Sequence, residues 1–322
     1  MRRKNGQNRT VKHVRESLAP MARVPLNYWW KKGRSGSMRL STICAAVAGA
    51  MACSAALASD TELAWFQRSS IFHSGLRDAH TIALTFDDGP GGRTTDVLDT
   101  LKAHNVKATF FIVGNSAKLH HATLARIANE GHLLANHSAS HPVLKSSYDA
   151  EPERLISQIR ITHDEIAPYM KPGEKLYFRA PFGYWRSAHA QILNADPVLK
   201  NYVGPVYWDI GGQITMRGGY IMSAADWDCW RHKWTAQTCA KGYLREIRRS
   251  DGGVVLMHSL FAKSAELADT VIVAMQEEGY RFVRLDEVPE YRQYETPQTA
   301  PAVASLPSDS RSLMLVSNDE IK

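Results

Sequence analysis

Between residues 81 and 283 short β-branched or aromatic runs alternate with amphipathic stretches, and nothing else in the sequence restricts the fold as much. Thr81-Ile82-Ala83-Leu84-Thr85-Phe86 has the make-up of a buried strand and is stopped by Asp87-Asp88-Gly89-Pro90. Val97, Leu98 and Leu101 then share one helical face, closed by His104-Asn105. Ala108-Thr109-Phe110-Phe111-Ile112-Val113 is a second strand, stopped by Gly114. Leu119, Leu124, Ile127 and Ala128 mark a second helix, ended by Gly131, and His132-Leu133-Leu134-Ala135 is the next strand. Leu155, Ile159 and Ile166 predict a helix, Leu176-Tyr177-Phe178 a strand, and Val203 to Trp208 another. Leu244 and Ile247 suggest a helix, Val254-Val255-Leu256-Met257 a strand, and Leu267, Val271 and Met275 a last helix before strand Arg281-Phe282-Val283. Strand–helix alternation implies parallel strands joined by crossover helices, hence an α/β barrel or an open α/β sheet. In such folds the chemistry collects at the C-terminal ends of the strands.

Polar residues sit at those ends. The first strand delivers Asp87 and Asp88, and the third delivers His137 and His141 in Asn136-His137-Ser138-Ala139-Ser140-His141-Pro142. The fourth brings Arg179, the fifth closes on Trp208-Asp209, and the sixth runs Leu256-Met257-His258. Each piece alone has an ordinary reading: a turn, a helix face, a surface arginine, a core histidine. At successive strand ends, a carboxylate pair, three histidines and an arginine instead converge on one mouth.

Charge excludes one class of function. Of 39 basic residues, ten lie in residues 1–37 against one acid, Glu16, while residues 59–322 hold 28 basic and 31 acidic residues. The net +7 therefore belongs to the leader, and the body has no electrostatic reason to seek nucleic acid. Residues 40–57 are apolar or small, without charge, and end Ala56-Leu57-Ala58, an A-x-A site. A basic region, a short apolar stretch and a small-residue site predict a secretory signal peptide over 38–58, leaving no stable membrane span after cleavage. The alternative is a retained membrane anchor. Residues 1–37 read as a basic extension or a misplaced start. Cys229 and Cys239, ten apart in an exported chain, are expected to form a disulfide. Residues 59–80 read as a linker, 81–288 as the catalytic domain, and 289–322, rich in Pro, Ala, Ser and Thr, as a disordered tail. The product is expected in the periplasm or secreted, or membrane-anchored where the leader is retained; its oligomeric state is not legible.

Thr85-Phe86-Asp87-Asp88-Gly89-Pro90, His137-x-x-x-His141-Pro142, Arg179-Ala180-Pro181-Phe182-Gly183, Asp226-Trp227 and Leu256-x-His258 resemble the five ordered motifs of the polysaccharide deacetylases, the NodB-like domain of carbohydrate esterase family four. The resemblance implies an irregular (β/α) barrel of α/β class, with parallel strands and outer helices. It implies that Asp88, His137 and His141 hold a divalent metal, zinc by the donor set. Asp87 would be the general base and His258 the acid that protonates the leaving amine. Arg179 would orient Asp87 and hold it ionised, and Asp226 would favour protonated His258. The backbone N–H of Phe182 would face the oxyanion, while Trp227 and Leu256 would wall an acetyl pocket.

The implied substrate is an N-acetylated glycan of chitin-oligosaccharide or peptidoglycan type, losing its acetyl groups. The alternatives are an O-acetyl esterase acting on acetyl-xylan and a catalytically silent carbohydrate-binding protein. Sixteen residues, 210–225, separate Trp208-Asp209 from Asp226-Trp227, where the family has few, so either Asp209 or Asp226 could pair with His258. The segment, with Gly211-Gly212 and Gly218-Gly219-Tyr220, is expected to form a lid or groove wall. Tyr184, Trp185, Tyr207 and Trp230 are candidates for stacking on sugar faces.

Overall fold

The computed structural model describes residues 66–71, for which the backbone alone is given, and 75–292. The basic extension, the signal segment, residues 59–65 and 72–74 of the linker, and 293–322 of the tail lie outside them. In chain order the elements are β1 (Phe66–Ile71), β2 (Thr81–Asp87), α1 (Thr94–Ala103), β3 (Thr109–Ile112), α2 (Gly114–Ala117), α3 (His121–Asn129), β4 (Leu133–Asn136), α4 (Pro152–Ile166), β5 (Leu176–Tyr177) and α5 (Ser187–Ala195). There follow β6 (Tyr202–Val206), β7 (Thr215–Arg217), β8 (Tyr220–Ser223), α6 (Asp226–Arg231), α7 (Ala236–Ser250), β9 (Gly252–His258), α8 (Ser264–Glu277), β10 (Arg281–Val283) and α9 (Pro289–Arg292).

Among the described residues every ladder but the β7–β8 hairpin is parallel. One edge of β2 is covered along its whole length by β9; the other is shared by β10 at Thr81–Ala83 and β3 at Thr85–Phe86. β3 continues to β4, and a bridge from Asn136 to Phe178 leads on to β5 and β6. A second bridge, Ile210 to Val255, returns the chain beyond β6 to β9, closing an irregular barrel.

Strand periodicity divides the core. Ile82, Leu84 and Phe86 face outward and pack with α1 (Val97, Leu98, Leu101), α3 (Leu124, Ile127) and α8 (Leu267, Val271, Met275). The alternate positions Ala83, Phe111, Ala135, Val203 and Val254 form a second cluster inside the ring. Thr85 and Asp87 share the inward face of β2, which is how the strand carries a carboxylate into the mouth.

Four segments differ from the expectations above. Phe66–Ile71, within the expected linker, is a strand on β6; its polar, non-alternating sequence gives no strand signal. The fifth strand stops at Val206 rather than Trp208, because Arg179 takes the next acceptors: its Nε donates to Val206 O (3.0 Å) and its Nη2 to Tyr207 O (3.3 Å). Pro289–Arg292, assigned to the tail, is a short helix whose Tyr291 is buried with its ring 5.8 Å from that of Tyr177. The inserted segment is a wall rather than a lid, and on a helix rather than at the strand ends: its β7–β8 hairpin lies back along α7 and lines a cleft there. Arg245 Nη1 donates to Ile221 O, and a Cβ at Gly242 would meet that of Ala224 at 2.4 Å. The hairpin tip thus points toward the C-terminal end of α7, the side of the barrel where the strands begin.

Candidate active site

The loop after β4 is built by its own polar side chains. Asn136 Oδ1 accepts the Ser138 N–H (2.9 Å), while its Nδ2 donates to Ile159 O and Tyr202 Oη. Ser138 Oγ in turn accepts the His141 N–H (3.2 Å). Ser138 and His141 adopt left-handed φ values of 66° and 53°, which turn the chain so that both histidines face β2. Asp88, just past β2, is also left-handed (φ 70°), a conformation aspartate tolerates better than most residues.

His141 Nε2 lies 3.2 Å from Asp88 Oδ1, and His137 Nε2 lies 3.6 Å from the same oxygen. One ligand atom from each of the three residues falls within 4.8 Å of the others. The buried Asp88 Oδ1 accepts no hydrogen bond from the described residues, and such an orphaned oxygen is costly without a cation or water. His137 Nδ1 donates to the carbonyl of Arg179 (2.8 Å), which fixes the tautomer and leaves Nε2 a free lone pair. Burial pushes the His137 pKa down, keeping the ring neutral as a ligand must be. These residues fit a divalent cation.

Arg179 is fully buried and holds Asp87. Its Nη1 donates to Asp87 Oδ1 (2.7 Å) and to Thr85 Oγ1 (2.8 Å), and the guanidinium lies 4.1 Å over the Phe111 ring. Asp87 Oδ2 is 3.5 Å from His137 Nε2, so the carboxylate borders the triad without belonging to it.

Opposite stands His258, the register partner of Asp87 on β9. Its Nδ1 donates to Asp226 Oδ1 (2.7 Å), and its backbone N–H to Asp226 Oδ2 (2.7 Å). Burial opposes a proton on the ring. The Asp226 charge and hydrogen bond, with Asp88 and Asp87 beyond, outweigh it and push His258 up to about 9. The carboxylate on His258 is therefore Asp226. Asp209 lies further back along β9, where its Oδ2 accepts the Val254 N–H (2.9 Å). The Cys229–Cys239 disulfide is formed, tying the short α6 that begins at Asp226 to α7.

The remaining sequence candidates are more dispersed. Phe182 sits in a turn with φ 59°, largely exposed, its ring 4.6 Å from that of His141. Leu256 is buried two residues before His258 on the same strand face, and Trp227, directly after Asp226, is 38% exposed. Of the sugar-stacking candidates only Tyr184 is exposed; Trp185 packs on Phe178 and Tyr207 donates to Gly183 O.

Sequence reasoning missed Tyr243 and Thr85. The buried Tyr243 hydroxyl accepts the Asp226 N–H (3.0 Å) and donates to Leu256 O (3.0 Å), joining α6 to β9. On an amphipathic helix it reads as one more core aromatic. Thr85 was open to inference, since the strand period places it on the Asp87 face.

A 230-residue match to a peptidoglycan-N-acetylglucosamine deacetylase of Bacillus cereus is 30% identical, covering 70% of this chain and 74% of that protein. The chain belongs to the polysaccharide deacetylase family. The family's own sequence model, described as polysaccharide deacetylase, matches residues 75–198 of this member. A Listeria monocytogenes peptidoglycan-N-acetylglucosamine deacetylase is 31% identical over 209 residues, 64% of this chain; the match spans only 38% of that relative's length. Among solved structures, the Bc1960 peptidoglycan N-acetylglucosamine deacetylase, in complex with a naphthyl hydroxamate, aligns with TM-score 0.51 and 29% identity. That alignment covers 65% of this deacetylase-family chain and 87% of the solved one.

Proposed function

We propose that this protein is a metal-dependent hydrolase that removes N-acetyl groups from an N-acetylated glycan, of peptidoglycan or chitin-oligosaccharide type, outside the cytoplasm. The observation that carries the reading is geometric, two groups facing each other across one strand pair: Asp87 bordering the Asp88–His137–His141 cluster, with Asp226-bound His258 opposite. A divalent cation held by Asp88, His137 and His141, zinc by preference of two imidazoles and a carboxylate, would supply Lewis acidity toward water and the acetyl carbonyl.

The chain's own groups supply the rest. Asp87, fixed by Arg179, accepts the proton of the attacking water. The Phe182 backbone N–H donates to the developing oxyanion. His258, held protonated by Asp226, gives its proton to the departing amine. An amine leaves poorly without that proton, whereas an ester oxygen needs it less, so the strength of the Asp226–His258 pair favours the amide substrate. Trp227 and Leu256 border the acetyl methyl. Family relatives named for peptidoglycan, and the apolar leader ending in Ala56-Leu57-Ala58, support an exported enzyme; among the described residues no helix is long and apolar enough to cross a membrane.

The test is acetate release from peptidoglycan fragments, chitin oligomers and acetyl-xylan. Loss of acetate from an N-acetylated substrate, stopped by chelation and restored by zinc, is the expected result. Release from acetyl-xylan alone overturns the amide reading, and no release from any substrate with metal bound overturns catalysis.

A further inference from the structure

On the outer wall, away from the mouth, the β7–β8 hairpin and α7 enclose an open cleft of about 410 Å³ between Gly219-Tyr220-Ile221 and Lys241, Leu244, Arg245 and Arg248. The chemistry of its lining is lopsided. Residues 75–292 hold 25 basic and 25 acidic residues, yet α7 alone carries Lys241, Arg245, Arg248 and Arg249 against a single acid, Glu246. Glu246 does not line the cleft: its Oε2 accepts the Gly211 N–H and its Oε1 lies 3.6 Å from Arg249, so its charge is engaged elsewhere.

The cations differ in what occupies them. Arg248 is forked onto Glu278 (2.5 and 3.0 Å), and Arg245 donates to Ile221 O while lying 5.7 Å over the Tyr220 ring. Lys241, and Arg217 at the end of β7, have no acidic partner among the described residues. Tyr220 is 68% exposed, a flat ring with one face on a guanidinium. An aromatic plate beside unpaired cations suits a sugar ring that bears a carboxylate: the ring stacks and the acid finds Lys241 or Arg217. A bilayer would call for a broad apolar face, and only Tyr220 and Met216 protrude here.

We infer that this cleft is a second glycan-binding site, taking the carboxylate-bearing strands of the polymer whose N-acetyl groups the mouth receives. The inference rests on the deacetylase reading and deepens it: the substrate is an anionic polymer, gripped at a distance from the bond that is cut. Exposed ion pairs are weak singly and screened within about 8 Å at physiological salt, so the grip depends on repeated contacts along a strand.

The full chain and its R217E/K241E and Tyr220→Ser variants are sedimented with peptidoglycan sacculi at low and high salt. The ten basic residues of 1–37 are common to all three proteins, so differences report the cleft. The expected result is a roughly five- to tenfold weaker binding of each variant at low salt, with the difference shrinking as salt rises for R217E/K241E and persisting for Tyr220→Ser, whose lost stacking is not screened. Amidating the sacculus carboxylates should narrow the difference between the wild type and R217E/K241E. Turnover of a soluble, uncharged N-acetylated oligosaccharide and the melting temperature should stay unchanged. Equal binding by wild type and variants overturns the site. So does loss of binding confined to anionic phosphatidylglycerol vesicles, which assigns the cleft to a membrane surface. Wild-type protein that binds sacculi through the cleft but releases no acetate from any substrate overturns the deacetylase reading instead.

Discussion

Arg179 offers the sharpest quantitative test, because its guanidinium is fully buried and serves two masters. One is the Asp87 carboxylate (2.7 Å); the other is the barrel itself, through Thr85 Oγ1, Val206 O and Tyr207 O. Arg179→Met keeps most of the volume and removes all of these bonds. It strands a carboxylate that is 3% exposed, at a cost of about 3–5 kcal/mol. Three acceptors also lose a donor at about 1 kcal/mol each, water recovering part of that. The sum, roughly 5 kcal/mol, approaches the whole stability of an ordinary domain. Asp87→Asn should cost about 2–4 kcal/mol, since the amide oxygen still accepts from Nη1 but leaves the buried guanidinium without its counter-charge. If the ion pair dominates, D87N/R179M should be no less stable than R179M, with a coupling energy of about 2–4 kcal/mol. Urea unfolding of the four proteins, followed by tryptophan fluorescence in the presence of chelator, measures the cycle. Additivity to within about 0.5 kcal/mol would refute the reasoning and make Arg179 a staple of barrel carbonyls rather than a holder of Asp87.

Two further outcomes follow from individual side chains. Burial pushes His132 down to about 4, and its Nδ1 accepts the Ala108 N–H, so the folded protein holds it neutral. The unfolded chain binds that proton more readily, so this contribution is complete above the unfolded value and lost as pH falls from about 6.5 toward 4. Between pH 7.5 and pH 4.5 the wild type should lose about 2.5 kcal/mol more than His132→Gln, by urea unfolding. Parallel losses in the two proteins would contradict the burial argument. Asp226→Asn should cut N-deacetylation at pH 8 by about tenfold or more, because His258 loses the charge that keeps it protonated. Asp209→Asn should change acetate release by less than about threefold, and equal losses in the two variants would contradict the assignment of Asp226 to His258.

Local pattern carried most of the scaffold. Thr81–Phe86 and Val254–Met257 announce strands because one face of each meets helices and the other a filled ring, so nearly every position must be apolar. The residues that end them are legible for the complementary reason: Asp87, His137, Arg179 and His258 are too polar for the apolar runs that deliver them. What failed was whatever depends on a distant partner. Asp209 and Asp226 both adjoin a tryptophan, and only the return of α6 against β9 decides which one reaches His258. Tyr243 looks like core packing until its hydroxyl is seen between Asp226 and Leu256. β1 is a largely polar segment and the β7–β8 hairpin a short, mostly exposed one, and their order comes from β6 and α7, not from their own periodicity. Tyr291 follows a Pro-Glu pair at the edge of a low-complexity tail, and its burial against Tyr177 has no local signal.

The pairing of Asp87 with His258 on neighbouring strands has a consequence for how such a protein can change. Two residues in parallel register are separated by the interstrand repeat, close to 4.8 Å, a dimension set by peptide hydrogen bonding and shared by every sheet. The spacing of the two backbone positions that carry the proton acceptor and the proton donor is thus fixed by the sheet itself. Loops around the mouth can lengthen, shorten or be exchanged without altering it. Descendants of this scaffold, natural or engineered, are free to trade one polymer for another while both groups stay anchored on a single rung of the sheet.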